Sequence, residues 1–288
     1  MAFDKDIDYE KCTAEIKEWW KNDPLMPKNI DDVLLQRFVH ATYGDTAYAK
    51  RVISLNYEIR NKNPHIFLDR DPLSPESQKV FQVCDMIPLP TLTPKDNYRM
   101  IFYRLRDLND SKFDFTEAIK MFFMVADTRF TMNNAISSGD VPIFDAKGFS
   151  LKHMTKAIRA FSVLRVYMNF TQNAFPVRLK QIHVVNVSPF VDKILSFIKP
   201  LMKKEVTNSL KFHLPNSETI FEYIPKDMLP VEYGGEGPSM DELKKDIVKQ
   251  IESKRDYLTD MSYWKMNFSK QQQEINANLV DLKNLSID

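Results

Sequence analysis

Glycine is scarce: the chain has 6 in 288 residues. Phosphate-cradling loops need several glycines close together, and the sequence contains no GxGxxG, no P-loop and no GxSxG. Nucleotide-binding loops and serine-nucleophile elbows are therefore not expected. Cysteine is scarcer still. Cys12 and Cys84 lie far apart, with neither a CxxC pair nor zinc-type spacing, which fits reduced thiols in a reducing compartment. Charge of one sign is also lacking. A formal net charge of +1 gives no global field toward nucleic acid, so any attraction to a membrane must be local. Long apolar runs are missing too. MFFMVA at 121–126 is the longest, far short of the roughly 20 residues a membrane span requires. The opening MAFDKDIDYEKC has no apolar secretory core. The expectation is a soluble, cytoplasmic protein with no nucleic-acid partner.

Large flexible apolar side chains are plentiful, with 20 Phe and 14 Met. Such residues fill irregular volumes, ligand cavities among them, although a solid core could have the same composition. The length allows one large domain and a smaller one.

Up to about residue 63 the apolar spacing is helical. Tyr9, Cys12, Ile16, Trp19 and Trp20 form one stripe, and Val33, Leu34 and Phe38 begin another behind Asp31 or Asp32 as N-cap. Residues 47–59 supply a third helix. Pro72 to Pro75 closes this region, and Pro88, Pro90 and Pro94 suggest a loop-rich connection after it. Beyond Asn97 strands and helices alternate: strands at 97–105, 141–146, 181–187 and 210–214, helices at 115–136, 150–174 and 189–209, and a short helix capped by Ser217. This order predicts an α/β fold, with a mainly parallel sheet, helical crossovers and a small all-helical domain in front. The expected divisions are 1–75, 76–240, and a tail over 241–288 that starts helical and ends extended.

Chemistry-bearing patterns are few. The histidines (His40, His65, His153, His183 and His213) form no HExxH pair. His183 and His213 fall in expected strands, where ordinary hydrogen bonding is the expected role and no metal is expected. Asp145 ends a strand, where α/β enzymes often place a carboxylate; capping the following turn is its simpler role. The segment 189–209 is different. Phe190, Val191, Ile194, Leu195, Phe197, Ile198, Leu201 and Met202 surround most of the helix, beside a thin polar stripe of Asp192, Lys193, Ser196 and Lys199. Pro200 favours a kink there. A helix placed between a cavity and a membrane accounts for this pattern, and a plain core helix is the alternative. Lys199, Lys203 and Lys204 would meet an anionic bilayer at its end. Arg178 and Lys180 share one face of an extended segment and, with Arg60, could make a phosphate-sized patch.

The runs LLQRFVHATYGDTAYAKRVISLNYEIR, IFDAKGF, FPVRLKQIHVVN, FIKPLM and LPVEYGG together resemble the CRAL-TRIO lipid-transfer proteins, most closely their tocopherol-transfer branch, over about residues 10–260. The resemblance implies a helical domain packed on an α/β lipid-binding domain, a mobile lid helix, no cofactor and no catalytic activity. It implies a pocket lined by Phe122, Ala126, Phe144, Phe161, Phe170, Phe175, Leu179 and Ile182. Phe122 and Ala126 stand where tocopherol carriers have two serines. The lid would hold Phe190, Val191, Ile194, Leu195, Phe197, Ile198 and Leu201. Arg60, Arg178, Lys180, Lys203 and Lys204 would meet phosphoinositides or the membrane, although Glu205 and Ser209 replace two basic positions of the related cleft. The partner expected is a lipophilic molecule, either tocopherol or another isoprenoid such as a carotenoid or retinoid. A phosphatidylinositol or phospholipid exchanger, a membrane-recruited adaptor, and an enzyme using Asp145 or His183 are the alternatives.

Overall fold

The computed structural model describes residues 7–132, 135–187 and 190–268. Three helices open the chain, each started by an aspartate whose carboxylate accepts exposed N–H groups of the first turn. Asp8 caps α1 (Tyr9–Asn22), Asp31 caps α2 (Asp32–Ala41) and Asp45 caps α3 (Thr46–Lys62). Their apolar stripes meet in a core that includes Ile16, Trp20, Leu35, Phe38, Ile53 and Tyr57. Two proline-started helices follow, α4 (Pro64–Phe67) and α5 (Pro75–Val83).

The sheet has the spatial order β1 (Cys84–Leu92), β2 (Tyr98–Leu105), β3 (Gly139–Asp145), β4 (Ile182–Val185), β5 (Leu210–Phe212). The β1–β2 pair is antiparallel and the other three pairs are parallel. This is the expected mainly parallel α/β architecture. The crossovers are α6 (Phe115–Phe130), then α7 (Leu151–Arg159) with α8 (Phe161–Asn173), then α9 (Val191–Ile198) with α10 (Lys204–Asn208). Strands added in sequence order by right-handed crossovers place all these helices on one face of the sheet.

Several expectations need correction. Residues 84–92 form an edge strand rather than a loop, because Pro88 and Pro90 are tolerated where no further strand needs their missing N–H. Helix α6 ends at Phe130, not at 136. The helix expected over 150–174 breaks at Ala160, and the one over 189–209 breaks into α9, a 3-10 turn (Lys199–Leu201) holding Pro200, and α10. The start of that segment, Pro189, and the extended arm expected at the end of the chain lie outside the described residues. The helical part of the tail forms α11 (Met240–Ser253) and α12 (Arg255–Thr259). Lys244 of α11 reaches Asp85 of β1 at 2.9 Å, so this helix packs on the sheet.

The two layers meet at one carboxylate. Asp127 of α6 receives both terminal nitrogens of Arg60 from α3 at 2.7 and 2.8 Å, and also pairs with Arg70. All three side chains are buried. Arg60 also packs on the rings of Trp264, Phe170 and Phe67, at 4.8, 5.1 and 5.3 Å. Two cations face one anion, and Nε and Nη2 of Arg70 find no partner. Desolvation pushes the Asp127 pKa up, but Arg60 and Arg70 outweigh it and hold the carboxyl below its ordinary value.

Asp127→Asn leaves both guanidinium groups buried without an anion and should lower stability by about 3–5 kcal/mol in denaturant unfolding. Because the folded pKa is depressed, the stabilisation is present above the ordinary carboxylate value of about 3.9 and is lost as pH falls through the lower folded value. The variant should show no such acid-dependent loss from this site.

Candidate functional site

The faces of the sheet differ. Side chains at alternate positions share a face, and parallel partners point the same way. One face carries Met100, Phe102, Val141, Ile143, His183, Val185 and His213, all buried. It is covered by the segment after β5, with Tyr233 4.7 Å from Phe102 and Tyr223 5.0 Å from His183. The other face lies toward the crossover helices, as the 5.8 Å contact between Tyr103 and Phe122 of α6 shows. There Ile101 and Ile182 are buried, but Tyr103, Pro142, Phe144, Val184 and Leu210 are only half-buried and Phe212 is 44% exposed. The apolar residues of α9 are likewise half-buried; none is fully enclosed.

Aromatic rings build the wall between that face and the helices. Phe122 meets Tyr103 of β2 and Tyr167 of α8, at 5.8 and 5.0 Å, and lies 5.7 Å from Phe175. Phe144 of β3 stacks on Tyr103 at 4.9 Å. At the start of α8, Phe161 is 39% exposed and touches Phe197 of α9 at 5.9 Å. The structure thus brings together Phe122, Phe144 and Phe175, with Phe161 at the α9 side and Ile182 on the same sheet face. Phe170 is displaced from this wall: it is wholly buried between Phe67, Phe123 and the Arg60 guanidinium. Ala126 is buried in the core of the helical layer beside Phe130, and Leu179 is 39% exposed next to Asp140. Tyr103 and Tyr167 were missed in the sequence. Tyr103 alternates with Ile101 on strand β2, a signal that could have found it.

At the far end of α8, Gln172 holds the segment that follows α9. Its amide nitrogen donates to Leu201 O at 2.9 Å and Met168 O at 2.8 Å, while its oxygen accepts from the Lys203 N–H at 2.6 Å. Lys203 Nζ donates to Gln172 O at 3.2 Å. The residues expected to form a lid, Phe190, Val191, Ile194, Leu195, Phe197, Ile198 and Leu201, are all half-buried, whereas Lys199, Lys203 and Lys204 are exposed.

The basic residues do not form one patch. Arg60 is buried on Asp127, as described above. Arg178 is also buried: its Nε and Nη2 donate to His40 O at 3.0 and 2.6 Å, Nη2 donates to Tyr9 Oη at 3.1 Å, and the guanidinium lies 3.7 Å from the centre of the Tyr43 ring. It borders a small polar cleft with Arg37 and the Arg129–Asp140 ion pair, whose shorter contact is 2.6 Å. Burial, with Arg129 nearby, pushes the Arg37 pKa down to about 10. Lys180 is half-buried, its stem running over Gly139. Glu205 is exposed and Ser209 half-buried, with the Ser209 hydroxyl donating to Val206 O.

The enzyme candidates have structural roles. Asp145 accepts from the Lys147 N–H, from Asn186 and from the Tyr233 hydroxyl, tying the ends of β3 and β4 to the glycine turn. In that turn Gly234 has φ +74°, and a Cβ on Gly235 would sit 1.9 Å from Leu229 O. His183 and His213 bond each other at 2.8 Å. Gln181 Oε1 can only accept from His183 Nε2, which makes His183 Nδ1 the acceptor from His213, and His213 Nδ1 in turn accepts from Thr219 Oγ1. The ring nitrogens are thus committed to one another. Among the described residues no group of three or more His, Cys, Asp or Glu could hold a metal.

Comparison with known proteins agrees with this architecture. The CRAL/TRIO domain model matches residues 93–235, and a Pinta-like UBA domain model matches residues 5–77. By this match the chain carries a CRAL/TRIO domain. It is similar to the alpha-tocopherol transfer protein-like protein of Homo sapiens, 25% identical over 77% of this chain and 63% of that protein. Clavesin-1 of Rattus norvegicus is 24% identical over 73% of this chain and 59% of its own length. The match thus spans about three-fifths of the length of these relatives. The crystal structure of Sfh5 aligns over 96% of both chains with a TM-score of 0.48 at 13% identity. No described helix is long and apolar enough to cross a membrane.

Burial, with His213 beside it, lowers the His183 pKa to about 4. The unfolded chain takes up this proton near the ordinary value of 6.5, so stability from the neutral ring is complete above pH 6.5 and declines as pH falls toward 4, by up to about 3 kcal/mol. Denaturant midpoints measured from pH 7 to pH 4 should fall more steeply for the wild type than for His183→Gln.

Proposed function

We propose that this chain binds one lipophilic molecule between α9 and the accessible face of the sheet and carries it from one membrane to another, without catalysing a reaction. The observation that carries this reading is the contrast between the two sheet faces. One has its side chains buried under the segment after β5, while the other leaves Tyr103, Phe144, Val184, Leu210 and Phe212 partly accessible beneath the crossover helices. An apolar ligand laid on that face would remove this surface from water, at about 25 cal/mol per Å² before the costs of binding. Tocopherol or another isoprenoid, such as a carotenoid or retinoid, fits such an aromatic wall.

The exchange step is opening of α9 at a bilayer. Leu151, Ile158 and Phe161 on α7 and the start of α8 are exposed to 48%, 40% and 39%, and Phe161 touches α9. Lys152 and Arg159 on α7, and Lys199, Lys203 and Lys204 after α9, are exposed beside them. Apolar side chains flanked by cations suit an anionic membrane surface.

Phe190→Asp with Ile194→Asp should slow vesicle-to-vesicle transfer of a fluorescent tocopherol without unfolding the protein; an unchanged rate removes α9 from the exchange step. Gln172→Leu deletes the hydrogen bonds that fix the chain after α9. It should speed release of that probe to acceptor vesicles by roughly five- to tenfold, the worth of about one hydrogen bond. Native mass spectrometry identifies the natural cargo: an isoprenoid supports the proposal, and a phospholipid points to an exchanger.

A further inference from the structure

Two tyrosines in the aromatic wall have hydroxyls that the protein leaves unused. Tyr103 projects from β2 and Tyr167 from α8, on either side of Phe122. Among the described residues neither hydroxyl makes a hydrogen bond to the protein, and neither is among the sealed, unpartnered polar atoms. Both side chains are half-accessible, yet burial pushes both phenol pKa values upward, and for Tyr103 nearby Tyr167 adds to the rise. Each hydroxyl thus faces space that the described residues do not fill.

The lining around them is apolar: Phe144 stacks on Tyr103, and Phe122 and Phe175 complete the wall. The charges that bear on Tyr103 are Arg129 and Asp140, and these are paired with each other. Among the described residues, therefore, no uncommitted cation bears on Tyr103 to receive a phosphate. A phenol can donate one hydrogen bond and accept another. Covering two such groups with hydrocarbon would desolvate them without compensation, whereas a ligand oxygen would satisfy them.

We infer that Tyr103 and Tyr167 are the polar anchors of the pocket, and that they select a lipophile bearing one small oxygen function, a hydroxyl or a carbonyl, over a pure hydrocarbon or a phosphodiester lipid. This inference rests on the carrier reading above and narrows its cargo. Sites built around buried hydrogen-bonding groups discriminate strongly against analogues that cannot use them.

Phytol and phytane, an isoprenoid alcohol and a hydrocarbon on the same skeleton, provide the test. Equilibrium binding to the full chain is measured for the wild type and for the Tyr103→Phe/Tyr167→Phe double variant, which keeps both rings. The wild type should bind phytol about tenfold more tightly than phytane or better. The double variant should bind the two nearly equally, because its phytane affinity rises and its phytol affinity falls, with its thermal midpoint unchanged. A preference for phytol that survives in the double variant overturns the assignment of these residues. Equal wild-type binding of both probes overturns the selectivity but leaves the carrier reading standing. Failure of the wild type to bind either probe, with uptake of phospholipid from vesicles instead, overturns both.

Discussion

Asp127 is the constraint on which the arrangement of layers depends. Helix α6 is the first crossover on the helical face of the sheet, and its carboxylate fixes α3 through Arg60 and the loop after α4 through Arg70. Trp264, brought back by the chain after α12, lies against both guanidinium groups at 4.8 and 4.7 Å. Helical layer, sheet layer and C-terminal segment therefore share one buried charge cluster. Isolated buried ion pairs give little net stability, but they penalise any packing that separates the partners. The cluster sets the position of α6, and with it the wall that Phe122 presents to the sheet.

From that fixed wall outward the contacts become easier to exchange. Helix α8 touches α9 and the chain after it in two chemically different ways. Phe161 and Phe197 meet through rings, a contact that lipid chains could replace at little cost. Gln172 meets Leu201 and Lys203 through hydrogen bonds that hydrocarbon cannot replace. The proposed motion would therefore swing about the Gln172 end, with the Phe197 side released first.

Much of the fold was legible because local rules and tertiary packing agree. The aspartate cap of α2 and the β–α alternation after Asn97 were readable from the residue pattern alone. Residues 84–92 were not, since prolines normally mark loops and only the strand's place at the sheet edge makes Pro88 and Pro90 acceptable. The break at Ala160 was missed because the apolar periodicity runs through it, whereas Pro200 marked the interruption after Ile198. Of the pocket residues that the family resemblance implied, Phe122, Phe144 and Phe175 do lie together around Tyr103. Arg60 misled because a sequence shows a cation but not the buried Asp127, 67 positions away, that neutralises it. Phe170 misled for a related reason, since an apolar residue beside a pocket and one lining it look alike until accessible surface is known. Tyr103 and Tyr167 were overlooked because only the fold brings a strand residue and a helix residue to the two sides of Phe122.

The prolines of β1 have a consequence beyond the fold. Neither Pro88 nor Pro90 carries a backbone N–H, and the pairing of β1 with β2 is irregular between Pro88 and Leu92. Arg99 meanwhile engages the carbonyls of Leu89 and Pro90 at 2.7 and 2.8 Å. At the opposite border β5 is only three residues long. Neither border offers a long ladder of open donors and acceptors on which another copy's strand could be templated. If exchange takes place at a membrane surface as proposed, copies would meet there at high local density, and these blunted borders would keep such encounters from growing into extended sheets.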